Sequence, residues 1–172
     1  MMAKVKNMFT VGILTISDKG WSGERPDKSS EVIREILSAI DVRIVNYDIV
    51  PDEKELIARK LINWADEDAL DVVLTTGGTG LSPRDVTPEV TLSVVDKVVP
   101  GFVEAMRAES LKKTPMAMLS RAVAGARGEC LIINLPGSPK AVRECLEAIL
   151  PALPHAVETL KGQVSECGTP ES

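Results

Sequence analysis

The sequence predicts an α/β protein, a three-layer α/β/α sandwich around a mostly parallel sheet. Three observations carry this. Apolar runs of strand length alternate along the chain with stripes of helical period. Most of those runs are nearly unbroken Val, Ile and Leu, the pattern of strands covered on both faces. The 172 residues are 44% hydrophobic but only 3% aromatic, so aliphatic side chains must fill the interior. The length fits one domain, which buries a substantial core without cross-links.

Residues 1–8 read as an N-terminal extension, 9–162 as the single domain and 163–172 as a flexible tail carrying Gly168 and Pro170. Lys4 and Lys6 before an apolar run faintly suggest a secretion leader. The run is short, however, and Ser17-Asp18-Lys19 follows it rather than a small-residue cleavage site. It is therefore read as the first strand, Phe9–Ile16. Val32, Ile33, Ile36, Leu37 and Ile40 form the first helical stripe. The second strand is Arg43–Ile49, followed by a helix striped with Ile57, Leu61, Trp64 and Ala65.

Val72–Thr76 is the third strand and runs into a glycine-rich loop. Thr87 as N-cap with Pro88 at the first helical position opens the next helix. Pro100-Gly101 breaks the chain before a helix from Phe102 towards Leu111. Arg121–Arg127 is a weak strand, forming a hairpin through Gly128-Glu129 with the fourth strong strand, Leu131–Leu135. Val142, Cys145, Leu146 and Ile149 stripe the following helix, and a last helix spans Pro151 to Lys161. No segment is long and apolar enough to cross a membrane.

The net charge of −5 argues against a nucleic-acid or acidic-membrane surface. Cys130, Cys145 and Cys167 are odd in number and lack Cys-x-x-Cys spacing, which suits a reduced, cytoplasmic setting. With His155 as the sole histidine, a zinc site lacks ligands. His155 itself has no nucleophile beside it in the sequence and reads as structural or surface.

In a parallel sheet, ligands bind beyond the carboxyl ends of the strands. Four exits therefore matter: Ser17-Asp18-Lys19-Gly20, Pro51-Asp52-Glu53, the loop Gly77-Gly78-Thr79-Gly80 after Thr76, and Asn134-Leu135-Pro136-Gly137-Ser138-Pro139-Lys140. The glycine loop matches neither a Walker A motif nor Gly-x-Gly-x-x-Gly. It reads either as a phosphate cradle, with Arg84 as cation, or as a tight turn needing glycine for sterics alone. Asp52 and Asp85 suit a divalent cation, because two carboxylates facing a phosphate site need one between them. Each could instead simply cap the helix that follows. Asn134 suits the edge of a heterocycle, and Ser138 could cap a helix. Arg121, after Ser120, is either a phosphate clamp or a solvated charge. Trp64 fits a core stripe, whereas Trp21 either shields a ring system or covers the sheet edge.

Thr75-Thr76-Gly77-Gly78-Thr79-Gly80 followed by Arg84-Asp85-Val86-Thr87-Pro88 resembles the signature of MogA/MoaB-type molybdenum-cofactor biosynthesis proteins. Pro51-Asp52-Glu53, Pro100-Gly101-Phe102, Leu119-Ser120-Arg121 and residues 134–139 fall in that family's order, and the resemblance spans Phe9 to Gly162. It is closest to the MogA branch. The resemblance implies a molybdopterin adenylyltransferase, which uses MgATP to adenylylate the terminal phosphate of molybdopterin and releases pyrophosphate. It also implies a homotrimer, or sometimes a hexamer, and a MoeA-type metal-insertion partner. Asp52 and Asp85 match the family's two functional aspartates. Ser110, Asn134, Pro136 and Ser138 match positions associated with the pterin pocket. One departure is Ser30, where Asp-x-Ser-Gly is usual. The alternative within the family is a non-catalytic MoaB-type binding protein. Rivals further afield are an assembly scaffold and another nucleotidyl- or pyrophosphate-processing enzyme.

Overall fold

The computed structural model describes residues 8–163; most of the N-terminal extension, nearly all of the tail and Cys167 lie outside the described residues. The elements in order are β1 (Phe9–Ile16), α1 (Asp18–Trp21), α2 (Lys28–Leu37), β2 (Val42–Val50), α3 (Lys54–Asp66), β3 (Val72–Thr76) and α4 (Thr87–Val94). Then come β4 (Lys97–Val98), α5 (Pro100–Leu111), a 3-10 turn (Pro115–Leu119), β5 (Ala124–Arg127), β6 (Cys130–Leu135), α6 (Pro139–Ile149) and α7 (Leu153–Leu160).

The sheet order is β2-β1-β3-β6-β5-β4. β2, β1, β3 and β6 pair in parallel, while β5 and β4 run antiparallel at one edge. The strong runs take central places because only there are both faces covered. Every residue of β3 and β6 is buried. The edge strand β2 instead alternates between half-buried and exposed positions over its first six residues and is buried only at its last, Val50.

Successive side chains point to opposite faces, so each central strand feeds two cores. Val72 and Leu74 of β3, with Leu131 and Ile133 of β6, pack under α2, α5, α6 and α7 through Ile33, Met106, Leu146 and Val157. Val73 and Ile132 face the other way, against Ile57, Leu61 and Trp64 of α3 and Val90 of α4. These are the two outer layers of the sandwich.

Local chemistry sets most helix starts. Asp27 caps α2 by accepting from Ser30 N at 3.0 Å, and Ser138 caps α6 by accepting from Ala141 N at 3.2 Å. At α4 the structure corrects the expectation. Thr87 is the first helical residue rather than the N-cap, and its hydroxyl donates backwards to Gly77 O at 3.0 Å.

Candidate active site

Because β1, β2, β3 and β6 are parallel, their exits meet on one rim, and hydrogen bonds join the loops that leave it. Ser17 N donates to Val50 O at 2.9 Å, linking the first exit to the second. Ser17 Oγ accepts from Gly20 N, which caps the single turn α1. Thr76 Oγ1 donates to Pro136 O at 2.7 Å, and Gly77 N donates to Leu135 O at 3.3 Å, linking the third exit to the fourth. Ser29 Oγ donates to Gly137 O at 2.8 Å and brings in the start of α2. Gly77 has φ 101°, and a Cβ there would lie 2.3 Å from Ile16 O. No other residue type lets the third exit press so closely on the first.

The rim encloses a cavity of about 630 Å³. Ser17, Asp52, Thr76, Gly77, Gly78, Asp85, Gly137 and Ser138 line it, so a large part of the expected constellation is assembled. Both aspartates touch the glycine loop. A Cβ at Gly78 would lie 3.1 Å from Asp52 Oδ1, and one at Gly80 would lie 2.9 Å from Asp85 Oδ2. Neither caps the helix that follows it: Asp52 Oδ2 accepts from Asp18 N, at the start of α1, at 3.0 Å, and Asp85 Oδ2 accepts from Ser82 N at 3.0 Å. Burial pushes the Asp52 carboxyl above its ordinary pKa, and repulsion from Asp18 and Asp85 adds to the shift. Asp18 moves the other way, held down chiefly by its hydrogen bonds from Arg84.

Other expected site residues make contacts within the protein. Asn134 is fully buried; its Nδ2 donates to Thr75 Oγ1 at 3.0 Å and Thr91 Oγ1 at 2.9 Å, and its Oδ1 accepts from Val123 N at 3.1 Å. With both Nδ2 donors and Oδ1 engaged inside the protein, it braces β6 against β3 and α4. Arg121 is only partly exposed and turns its guanidinium onto the rim's own backbone. It donates to Gly80 O at 2.7 Å and Asp85 O at 2.9 Å, and pairs with Glu89. Thr79 is buried, and its carbonyl accepts from Arg121 N, so it and Gly80 serve that brace rather than line the cavity. Arg84 grips Asp18 with two hydrogen bonds, of 3.0 and 2.8 Å, and Glu53 with one of 2.9 Å, on the exposed rim.

Ser110, Ser120 and Pro136 line a second cavity of about 220 Å³, together with Met106, Arg107, Ala122 and Cys145. It lies across the 136–139 turn from the first, since Gly137, Ser138 and Pro139 face the larger cavity. Trp21 is exposed and lines a shallow groove beside β2 and α3, outside both cavities. Ser30, the departure from glycine, is buried, donates to Asp27 through its N–H and its hydroxyl, and is not among the residues lining the cavity.

Sequence reasoning missed Arg25 and Lys28, the two cations of the larger cavity. The available signal was a pair of basic residues flanking Pro26-Asp27, between the first strand exit and a capped helix. Asp27 also lines this cavity. Burial favours its neutral form, but hydrogen bonds from Thr15 Oγ1, Ser30 N and Tyr47 Oη outweigh that and hold the carboxyl below its ordinary pKa. Among the described residues, no group of three or more His, Cys, Asp or Glu is placed to hold a metal ion.

Residues 12–155 match the family model described as "Probable molybdopterin binding domain". The chain is 48% identical over 161 residues to a molybdopterin adenylyltransferase of Helicobacter pylori J99, covering 91% of this chain and 92% of the relative. It is 38% identical to the molybdopterin adenylyltransferase of Escherichia coli K12, covering 93% and 89%. Among solved structures it resembles the molybdopterin biosynthesis enzyme MoaB of Thermus thermophilus, with a TM-score of 0.86 and 56% identity, covering 90% of this chain and 98% of that one.

Proposed function

The chain belongs to this molybdopterin-binding family, and we propose that it is a molybdopterin adenylyltransferase, a nucleotidyltransferase of molybdenum-cofactor biosynthesis. It transfers AMP from MgATP to the terminal phosphate of molybdopterin and releases pyrophosphate. The observation that carries this reading is the convergence of Asp52, Asp85 and the glycine loop on one cavity in a chain similar along most of its length to adenylyltransferases.

The reaction is attack of a phosphate oxygen of the pterin on the α-phosphorus of ATP. The attacking phosphate is already largely ionised at neutral pH, so the obstacle is bringing two anions into line, not removing a proton. Asp52 and Asp85 fit Mg²⁺. They are hard oxygen donors whose mutual repulsion leaves a surplus of negative charge, and two carboxylates suffice for an ion that fills its shell with phosphate oxygens and water. Bound there, Mg²⁺ would neutralise the triphosphate and the departing pyrophosphate. Arg25 and Lys28 meet phosphate charge from the wall near α2. The Gly77 N–H is already donated to Leu135 O, so the glycine loop's backbone contact to phosphate falls to Gly78, the next residue and a cavity-lining one. The second cavity, mostly apolar with Ser110 and Ser120 on its wall, receives a ring system.

The protein works in the cytoplasm, hands its product to a MoeA-type partner and self-associates as a homotrimer, or as a hexamer built from two. Large apolar side chains left exposed at Leu92, Val98, Met116 and Met118 offer surface for that association. Pyrophosphate release from ATP, measured with and without molybdopterin and Mg²⁺, tests the activity. Molybdopterin-dependent release is the expected result. Tight pterin binding without any release would make this a MoaB-type binding protein instead.

A further inference from the structure

We propose that Arg121 is a positioning residue for adenylyl transfer: it fixes the Asp85 carboxylate by locking the loop backbone on both sides of it. The inference rests on the proposed activity and deepens it.

The segment after β3 carries Asp85 through an exposed stretch, Leu81 to Arg84. Several of its bonds are internal. Asp85 N donates to Ser82 O at 2.9 Å, Ser82 N to Asp85 Oδ2 at 3.0 Å, and Thr87 N to Gly78 O at 3.2 Å. These shape the turn but do not set its place against the rest of the rim.

Two arginines tie the loop to distant chain. Arg84 reaches towards the β1 and β2 exits, pairing with Asp18 and Glu53, yet all three side chains are about half exposed and such pairs hold weakly. Arg121 comes from the β5 side of the sheet. Its backbone N–H donates to Thr79 O at 2.9 Å, its Nε to Gly80 O at 2.7 Å and its terminal nitrogen to Asp85 O at 2.9 Å. A planar fork thus spans the two ends of the exposed stretch, and the second end is Asp85 itself. Charge-assisted bonds to backbone carbonyls are stronger than neutral ones, and a guanidinium holds two acceptors in fixed relation where an ammonium acts as a point charge. Glu89 closes the fork's third side. Ser120, one residue earlier, lines the smaller cavity, so a single backbone step relates that cavity to the Asp85 loop.

The test compares Arg121→Lys, Arg121→Gln and Glu89→Gln with the parent protein. Amide hydrogen exchange of residues 78–87 is read without metal or nucleotide, thermal melts report folding, and kcat and the molybdopterin KM report turnover. Both Arg121 variants should exchange the loop amides about tenfold faster and lose about tenfold to a hundredfold in kcat, with the molybdopterin KM within about twofold. Glu89→Gln should behave like the parent. Arg121→Lys with parental loop exchange and parental kcat would overturn the inference, as would Glu89→Gln reproducing the full loss. A parent protein that releases no pyrophosphate sinks the adenylyltransferase reading instead, and the exchange arm still decides whether Arg121 holds the loop.

Discussion

Asp18 and Asp52 clasp each other: the backbone N–H of each donates to the other's carboxylate at 3.0 Å. The clasp is symmetric in geometry and asymmetric in charge. Arg84 neutralises Asp18 and holds its pKa down, whereas burial and two carboxylate neighbours push Asp52 up. Asp18 is thus a fixed anion that orients Asp52, and Asp52 keeps Oδ1 towards the glycine loop.

Asp85→Asn keeps the shape of the loop but removes a full charge from the cation site. Turnover should fall by at least about a hundredfold while pterin affinity stays largely intact. Single-turnover pyrophosphate release and equilibrium pterin binding, measured on the same preparation, check this. Near-parental adenylylation would remove the metal role of Asp85.

Asp52 makes stability depend on pH in a direction unusual for a carboxylate. Its folded pKa lies above the unfolded value of 3.8, so its stabilising contribution is complete below that value and is lost as pH rises through the folded pKa. At neutral pH the charge is a net cost. Asp52→Asn, which keeps an acceptor for the Asp18 N–H, should therefore melt slightly higher than the parent at pH 7 while losing activity. The gap in Tm should close below about pH 4. Melts at the two pH values decide; an unchanged gap would show that the charge is not its source.

Asp27 carries the opposite sign in the same cavity. Its pKa is depressed in the fold, so its contribution is present above the unfolded value and fades as pH falls through the folded one. Asp27→Ala should cost about 1–2 kcal/mol at neutral pH, for the lost cap and hydroxyl contacts, and less in acid. Denaturant melts at pH 7 and pH 3 measure the difference.

Asn134→Ala should cost about 2–4 kcal/mol of stability, because it strands Thr75, Thr91 and the Val123 N–H in a dry interior. Pterin affinity per folded molecule should not change. A selective loss of affinity in a stable variant would return Asn134 to the binding residues.

The strand core was legible in the chain, and the reason is physical. β1 and β3 fall on the expected bounds because central parallel strands are bounded by abrupt changes from apolar to polar residues. β4 was not foreseen, since Lys97-Val98 is two exposed residues held only by pairing with β5. α1 was hidden too, for a single turn capped by Ser17 has no period to read. In the site, the place of Asp52 and Asp85 on one cavity was legible from their position after strand exits. The burial of Asn134 could not be read, because the same amide suits the edge of a heterocycle or an interior brace. The contacts of Arg121 to Gly80 O and Asp85 O could not be read either, because a cation near a glycine loop offers the same donors to a phosphate or to carbonyl oxygens.

β6 enters the sheet last among the parallel strands, yet it sits between β3 and β5. A growing polypeptide on the ribosome that stops short of residue 135 has β5 and β4 with no neighbour joining them to the rest. The fourth loop is then missing from the rim as well. Binding competence therefore arrives late in synthesis, after β6 and the loop beyond it, and fragments truncated before β6 should capture neither reactant.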